Sequence, residues 1–236
     1  MTVTLLFLGA LAVVAGFWLA GQELATKPWL ETGPAVDPRG RGGPPASAAW
    51  LGLGMFMAVA ATLMVLLLSA YSMRMDMPDW SPPPQPRLLW VNTALLCVAS
   101  VALHRAGRAV RRSDRRGVGS GLLAGGGASV AFLAGQILAW RELAMAGYRP
   151  AGNPADAFFY LITAVHGLHV AGGLVALGRA GLALRRRAAS DRLRQVVELC
   201  AAYWHFLLLA WLLLFGTLAF SPSFDWLLAL CTAPFR

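Results

Sequence analysis

The chain has 236 residues, of which 58% are hydrophobic and 13% are charged, and its mean hydropathy is +0.60. Because soluble domains are about 25% charged, this composition excludes an ordinary soluble protein and predicts a single membrane domain over residues 1–236. The net charge of +9 raises the alternative of a nucleic-acid partner. No folded basic module accompanies the arginines, so no nucleic acid is expected.

Six stretches are long and apolar enough for transmembrane helices, which need roughly 20 such residues. They are about Val3 to Gly21, Ala48 to Met73, Leu88 to Leu103, Val118 to Trp140, Ala157 to Leu177, and Val196 to Phe220. The predicted fold class is therefore all-α, a polytopic membrane helix bundle of about six transmembrane helices.

The first apolar run predicts a retained N-terminal helix within residues 1–22, since it lacks the positive start and cleavage pattern of a signal peptide. Residues 23–47 are rich in Gly and Pro and predict a loop. Residues 48–220 contain the other five helices. The aromatic and leucine-rich tail, residues 221–236, is expected to lie along the membrane interface.

Arginines concentrate in two places, after the third and after the fifth predicted helix. They are Arg105, Arg108, Arg111, Arg112, Arg115 and Arg116 in one predicted loop, and Arg179, Arg185, Arg186, Arg187, Arg192 and Arg194 in and around the other. Two loops separated by two membrane crossings share a side, and the positive-inside rule makes that side cytoplasmic. Both termini are then predicted to lie outside.

Glycines recur at four-residue spacing in the fourth predicted helix, at Gly117, Gly121 and Gly125. Residues four apart share a helix face, and small side chains on one face let two helix backbones approach closely in lipid. This pattern predicts helix packing.

Histidines are the main ionisable side chains expected within the bilayer. His166 and His169 share a face of the fifth helix, and the sixth carries His205, with Glu198 nearer its start. His169 and His205 are expected at similar depth and could form a polar contact between helices, with Glu198 nearby. A metal or haem site and a proton relay are alternatives, but the first needs a fuller ligand set. Neutral structural histidines are therefore favoured.

Several motifs resemble subunit III of the haem–copper cytochrome c oxidases. Gly135 to Trp140 (GQILAW), Asn153-Pro154 and Phe158 to Val170 (FFYLITAVHGLHV) resemble the fifth and sixth helices of that family. Glu198 with Tyr203 to Phe206 (YWHF) resembles its last helix. The resemblance covers about Leu51 to Phe220, and the helix at Val3 to Gly21 would replace the usual first two.

The resemblance implies a non-catalytic subunit of a bacterial terminal oxidase in the cytoplasmic membrane. It implies packing on subunit I, with subunit II in the same complex and with haem and copper held by those partners. The chain would support stability and proton uptake and bind phospholipid, with headgroup contacts expected at Arg74 and Arg179. The residues that match the family signatures are His166, His169, Glu198, Tyr203, Trp204 and His205.

Two positions depart from the family pattern. A buried glutamate frequent in the family's third helix is replaced by Ala60, and an aspartate frequent after YWHF is replaced by Leu208, so no proton role of those acids carries over. A subunit III-like protein of nitric oxide reductases and a quinol oxidase subunit III remain alternatives. A small transporter is a remote alternative, because no internal repeat is evident.

Overall fold

A computed structural model describes residues 48–75, 77–187 and 190–220 of the chain. The predicted helix Val3 to Gly21, the loop 23–47 and the tail 221–236 lie outside the described residues. The contacts divide the chain into two compact units, Met1–Val65 and Leu66–Arg236. The expected single membrane domain stays a prediction.

Five helices form the described part of the chain. They are α1 (Ala48–Arg74), α2 (Leu88–Arg111), α3 (Arg115–Met145), α4 (Pro154–Arg185) and α5 (Ser190–Phe220). All five are long and apolar enough to cross a membrane. The predicted all-α membrane fold is confirmed.

The helices extend past the apolar runs that predicted them, most clearly at the junction of α2 and α3. The predicted end of α2 was Leu103, but the helix continues to Arg111, and α3 begins at Arg115. Arg105, Arg108 and Arg111 therefore lie in α2 and not in a loop. Hydropathy detects only the part of a helix that lies in lipid, whereas Ala and Arg have high helix propensity and prolong it.

A tight turn joins α2 to α3. Ser113 adopts a left-handed conformation (φ 59°), and the amide of Asp114 donates back to the carbonyl of Ala109, as in a Schellman motif. The Asp114 carboxylate then caps α3 by accepting a hydrogen bond from the amide of Gly117 at 3.0 Å. This connection holds α2 and α3 side by side.

The last four helices form a closed ring within the second unit. Helix α2 contacts α3 and α5, and α4 contacts the same two helices, so α2 and α4 lie diagonally opposite. Along the α2–α3 contact, Gly121 faces the backbone of Ala102 and the side chain of Ala106. The glycine spacing in α3 thus serves close helix packing, as the sequence predicts.

Candidate functional site

Three signature residues, His166, Tyr203 and Trp204, lie in the interior of the four-helix ring, whereas His205 is exposed. His166 is fully buried. Its ring lies 5.7 Å from that of Phe132 on α3 and 5.1 Å from that of Trp211 on α5, measured between centroids. Neither imidazole nitrogen has a hydrogen-bond partner among the described residues. His166 is therefore packed as an aromatic ring between two neighbouring helices.

Three donors on α5 tie this helix to the rest of the ring. The indole of Trp204 donates to the Ser129 hydroxyl on α3 at 2.8 Å, within the buried core. The Tyr203 hydroxyl donates to the backbone carbonyl of His169 on α4 at 3.1 Å. The indole of Trp211 donates to the Thr93 hydroxyl on α2 at 2.9 Å. Helix α5 is thus hydrogen-bonded to each of the other three helices.

The side chain of His205 faces α2. Its Nδ1 lies 2.5 Å from the Ser100 hydroxyl, and its Nε2 lies 3.4 Å from Nδ1 of His104. Nδ1 of His169 instead lies 2.7 Å from the Val165 carbonyl of its own helix. Both ring nitrogens of His205 are directed to α2, so the expected His169–His205 contact is corrected to a contact of His205 with α2. Equal depth along the helices did not predict the right contact. His205 lies on the face of α5 that is turned to α2, whereas Tyr203 lies on the face that is turned to His169 on α4.

Glu198 pairs with arginines and not with a histidine. Its carboxylate accepts from Arg111 on α2 at 2.8 Å and from Arg194, one turn earlier on α5, at 3.1 Å. The glutamate side chain is mostly buried, while both arginines are more than half exposed. This cluster joins α2 and α5 at the arginine-rich end of the bundle.

Hydrogen bonds also join two helices at the opposite end of the bundle. The Tyr160 hydroxyl lies 3.0 Å from the backbone carbonyls of both Trp140 and Tyr148, and the Trp140 indole donates to the Thr163 hydroxyl at 3.0 Å. These bonds tie the end of α3 to the start of α4. Sequence reasoning did not identify this contact.

The two arginines expected at lipid headgroups have different surroundings. Arg74, at the end of α1, pairs with Asp79 at 2.5 Å. Arg179 is exposed on α4.

Ser100, His104 and Ser129 were missed by sequence reasoning. The one sequence signal that could identify them is a serine or histidine placed to face a histidine or tryptophan of a neighbouring helix. Using that signal requires knowledge of which helices are neighbours.

The chemistry of this interior is that of hydrogen bonding and ring packing. Among residues 48–75, 77–187 and 190–220, no group of three or more His, Cys, Asp or Glu side chains is arranged to hold a metal ion. Asn92 and Gln136, both buried, join α2 to α3 by an amide contact of 3.3 Å.

Comparison with known proteins agrees with this architecture. Residues 52–222 match the family of cytochrome c oxidase subunit III. Cytochrome c oxidase subunit 3 of Synechocystis sp. is 30% identical over 173 residues, which cover 70% of this chain and 72% of that protein.

Two further relatives show a similar degree of identity. Cytochrome c oxidase subunit 3 of Thermostichus vulcanus is 30% identical over 74% of this chain and 88% of its own length. The probable cytochrome c oxidase subunit 3 of Mycobacterium tuberculosis is 31% identical over 60% of this chain and 71% of its own length. The family match and these relatives cover most of the chain, which therefore belongs to the cytochrome c oxidase subunit III family.

Proposed function

We propose that this chain is the non-catalytic subunit III of a bacterial haem–copper terminal oxidase, and that it packs on subunit I and stabilises it. Oxidation of cytochrome c, reduction of oxygen and proton pumping would take place in subunits I and II of the complex. The chain would thus contribute to respiration through the stability of its partners. The relatives described above are cytochrome c oxidase subunits by name, which favours a cytochrome c oxidase over a quinol oxidase or a nitric oxide reductase.

The observation that carries this proposal is the way in which α5 is bonded to all three other helices of the ring. Trp204 and Trp211 are both buried and donate to α3 and α2, respectively. Polar contacts of this kind, together with the close packing of small residues, hold membrane helices against one another. A bundle with fixed helices presents a constant surface to a neighbouring subunit, which is what a stabilising subunit requires.

Support for proton uptake would be indirect in this chain. The acids frequent in the family are replaced by Ala60 and Leu208, neither of which can exchange a proton. The chain would then assist proton uptake by keeping subunit I in its active arrangement.

The proposed topology follows from charge. The arginine-rich ends of α2, α3, α4 and α5 would face the cytoplasm, and both termini would lie in the periplasm. Single cysteines introduced into the α2–α3 turn and into the tail 221–236, in a chain whose Cys97, Cys200 and Cys231 are replaced by alanine, test this. A membrane-impermeant thiol reagent added to intact cells with a permeabilised outer membrane should label the tail and not the turn.

Phospholipid binding is part of the same proposal. Arg179 is exposed on α4, and its long side chain would extend toward the headgroup layer. Arg74 would meet a headgroup on the other side, alongside its pairing with Asp79. Lipid co-purified with the complex should decrease in an Arg179→Ala variant, with Arg179→Lys as the control that keeps the charge.

The stabilising role is tested by comparing oxidase assembled with and without this chain. Both preparations should start with similar rates of oxygen consumption, whereas the preparation without the chain should lose activity within fewer turnovers. Adding the purified chain back should restore the longer lifetime. Equal lifetimes for the two preparations would refute the stabilising role.

A further inference from the structure

Two histidines lie on the outside of the bundle, where contact with lipid alone would be unfavourable for their polar ring nitrogens. His104 on α2 and His205 on α5 are both exposed, with ring centroids 5.5 Å apart. Each lies seven residues from a member of the Arg111–Glu198 ion pair, which corresponds to ~10 Å along a helix. The pair thus faces the hydrocarbon region, below the arginine layer.

Ser100, His205 and His104 form one polar chain. The hydroxyl of the buried Ser100 lies 2.5 Å from Nδ1 of His205, and Nε2 of His205 lies 3.4 Å from Nδ1 of His104. When the Ser100 hydroxyl donates to His205, donation in the same direction along the chain leaves the proton of His104 on Nε2. The Nε2 of this exposed ring makes no hydrogen bond with a described residue, so an external acceptor would satisfy it.

The positive charge of Arg108 lies on the same face as His104 and also favours an acceptor there. Arg108 lies four residues after His104, on the same face of α2, and is exposed. Among residues 48–75, 77–187 and 190–220, no ion pair is formed by Arg108. An imidazole N–H and a guanidinium on one face are complementary to a carboxylate.

Apolar side chains continue this face toward the other end of the bundle. Val98 and Val101 on α2 and Leu209 on α5 are each more than half exposed. Together with His104, Arg108 and His205 they form what we name the α2/α5 outer face. This face combines an apolar stripe with hydrogen-bond donors near one end of the bundle. A transmembrane helix that carries one acidic residue would be complementary to it.

We infer that the α2/α5 outer face docks a transmembrane helix of an oxidase core subunit, which presents a carboxylate to His104 and Arg108. This inference rests on the proposed function, since it names the surface through which the chain joins the complex. A lipid phosphate is a poorer occupant, because His104 lies about one helical turn deeper than Arg108 and about two turns deeper than Arg111.

Photo-crosslinking in the native membrane tests the surface. A benzophenone amino acid is introduced at Val101, and the matched control is placed at Val175, which is exposed on the diagonally opposite helix α4. The expected adduct from position 101 joins this chain to subunit I or subunit II, identified by peptide mass spectrometry, and the same subunit is not captured from position 175. Adducts from position 101 with lipid alone, or with this chain's own N-terminal segment, would overturn the inference.

The donor is tested by substitution in the assembled complex. His104→Leu should lower the ratio of this chain to subunit I after a detergent wash by about three-fold, the size of a typical polar contact between membrane helices. His104→Gln keeps an N–H donor and should retain most of the chain. Equal retention for both variants and the wild type would contradict a role for His104.

Failure of the docking surface can be distinguished from failure of the proposed function. If the wild-type chain is recovered without a haem–copper subunit I, the proposed function itself fails. If subunit I is recovered but position 101 does not crosslink to a core subunit, only the docking surface is wrong.

Discussion

Replacing Gly121 by alanine should destabilise the bundle, although alanine is the better helix former. A methyl group at this position would lie 2.8 Å from the carbonyl oxygen of Ala102 and 2.8 Å from the Cβ of Ala106. Favourable contacts between carbon atoms are ~3.5–4.0 Å long, so α2 and α3 would have to separate by several tenths of an ångström. Overpacking of this kind costs about 1–3 kcal/mol.

The matched control is Gly127→Ala in the same helix, since a methyl group there meets nothing within 4 Å. Both substitutions gain up to about 1 kcal/mol of helix propensity, so their difference isolates the clash. We expect Gly121→Ala to be less stable than Gly127→Ala by about 1–3 kcal/mol. The free energy of unfolding is measured by SDS titration in mixed micelles, followed by tryptophan fluorescence. Equal free energies for the two variants would refute the close approach of α2 and α3 at Gly121.

Two further substitutions test the contacts of α5. Ser129→Ala removes the acceptor of the buried Trp204 indole and should lower the free energy of unfolding by about 1 kcal/mol, whereas Ser120→Ala, which loses only a bond within its own helix, should have little effect in the same titration. Glu198→Gln weakens the pairing with Arg111 and should cost less than about 1 kcal/mol, because the arginine is largely exposed to screening. The Glu198→Gln effect should shrink further when the titration is repeated at high salt, and a loss independent of salt would contradict an ionic contact.

Much of the fold could be predicted from the sequence because lipid imposes a simple rule on it. Backbone groups in hydrocarbon must be satisfied within a helix, so long apolar runs predict helices directly. The error at the end of α2 has the same origin, since the helix continues through Arg105 and Arg108 after the apolar run has ended. Hydropathy identifies the membrane-spanning part of a helix, whereas helix propensity and capping residues determine where the helix ends.

The site was less predictable, because neighbours depend on helix rotation. The HGLH and YWHF motifs indicated the family and the two relevant helices. Depth along the helices then suggested His205 with His169, but rotation of α5 directs His205 to Ser100 and His104 on α2. Contacts between helices require the order of the helices in the ring, which the hydropathy pattern of each helix does not contain.

The proposed place of this chain in a haem–copper oxidase complex can be tested directly. The direct measurement is to tag the chain in its native membrane, solubilise the membrane gently, and identify the co-purifying proteins by mass spectrometry. We expect a haem–copper subunit I together with a copper-binding subunit II, in constant ratio to the chain. Recovery of a nitric oxide reductase core, or of the chain with no haem protein, would show that the chain is not a subunit of a haem–copper cytochrome c oxidase.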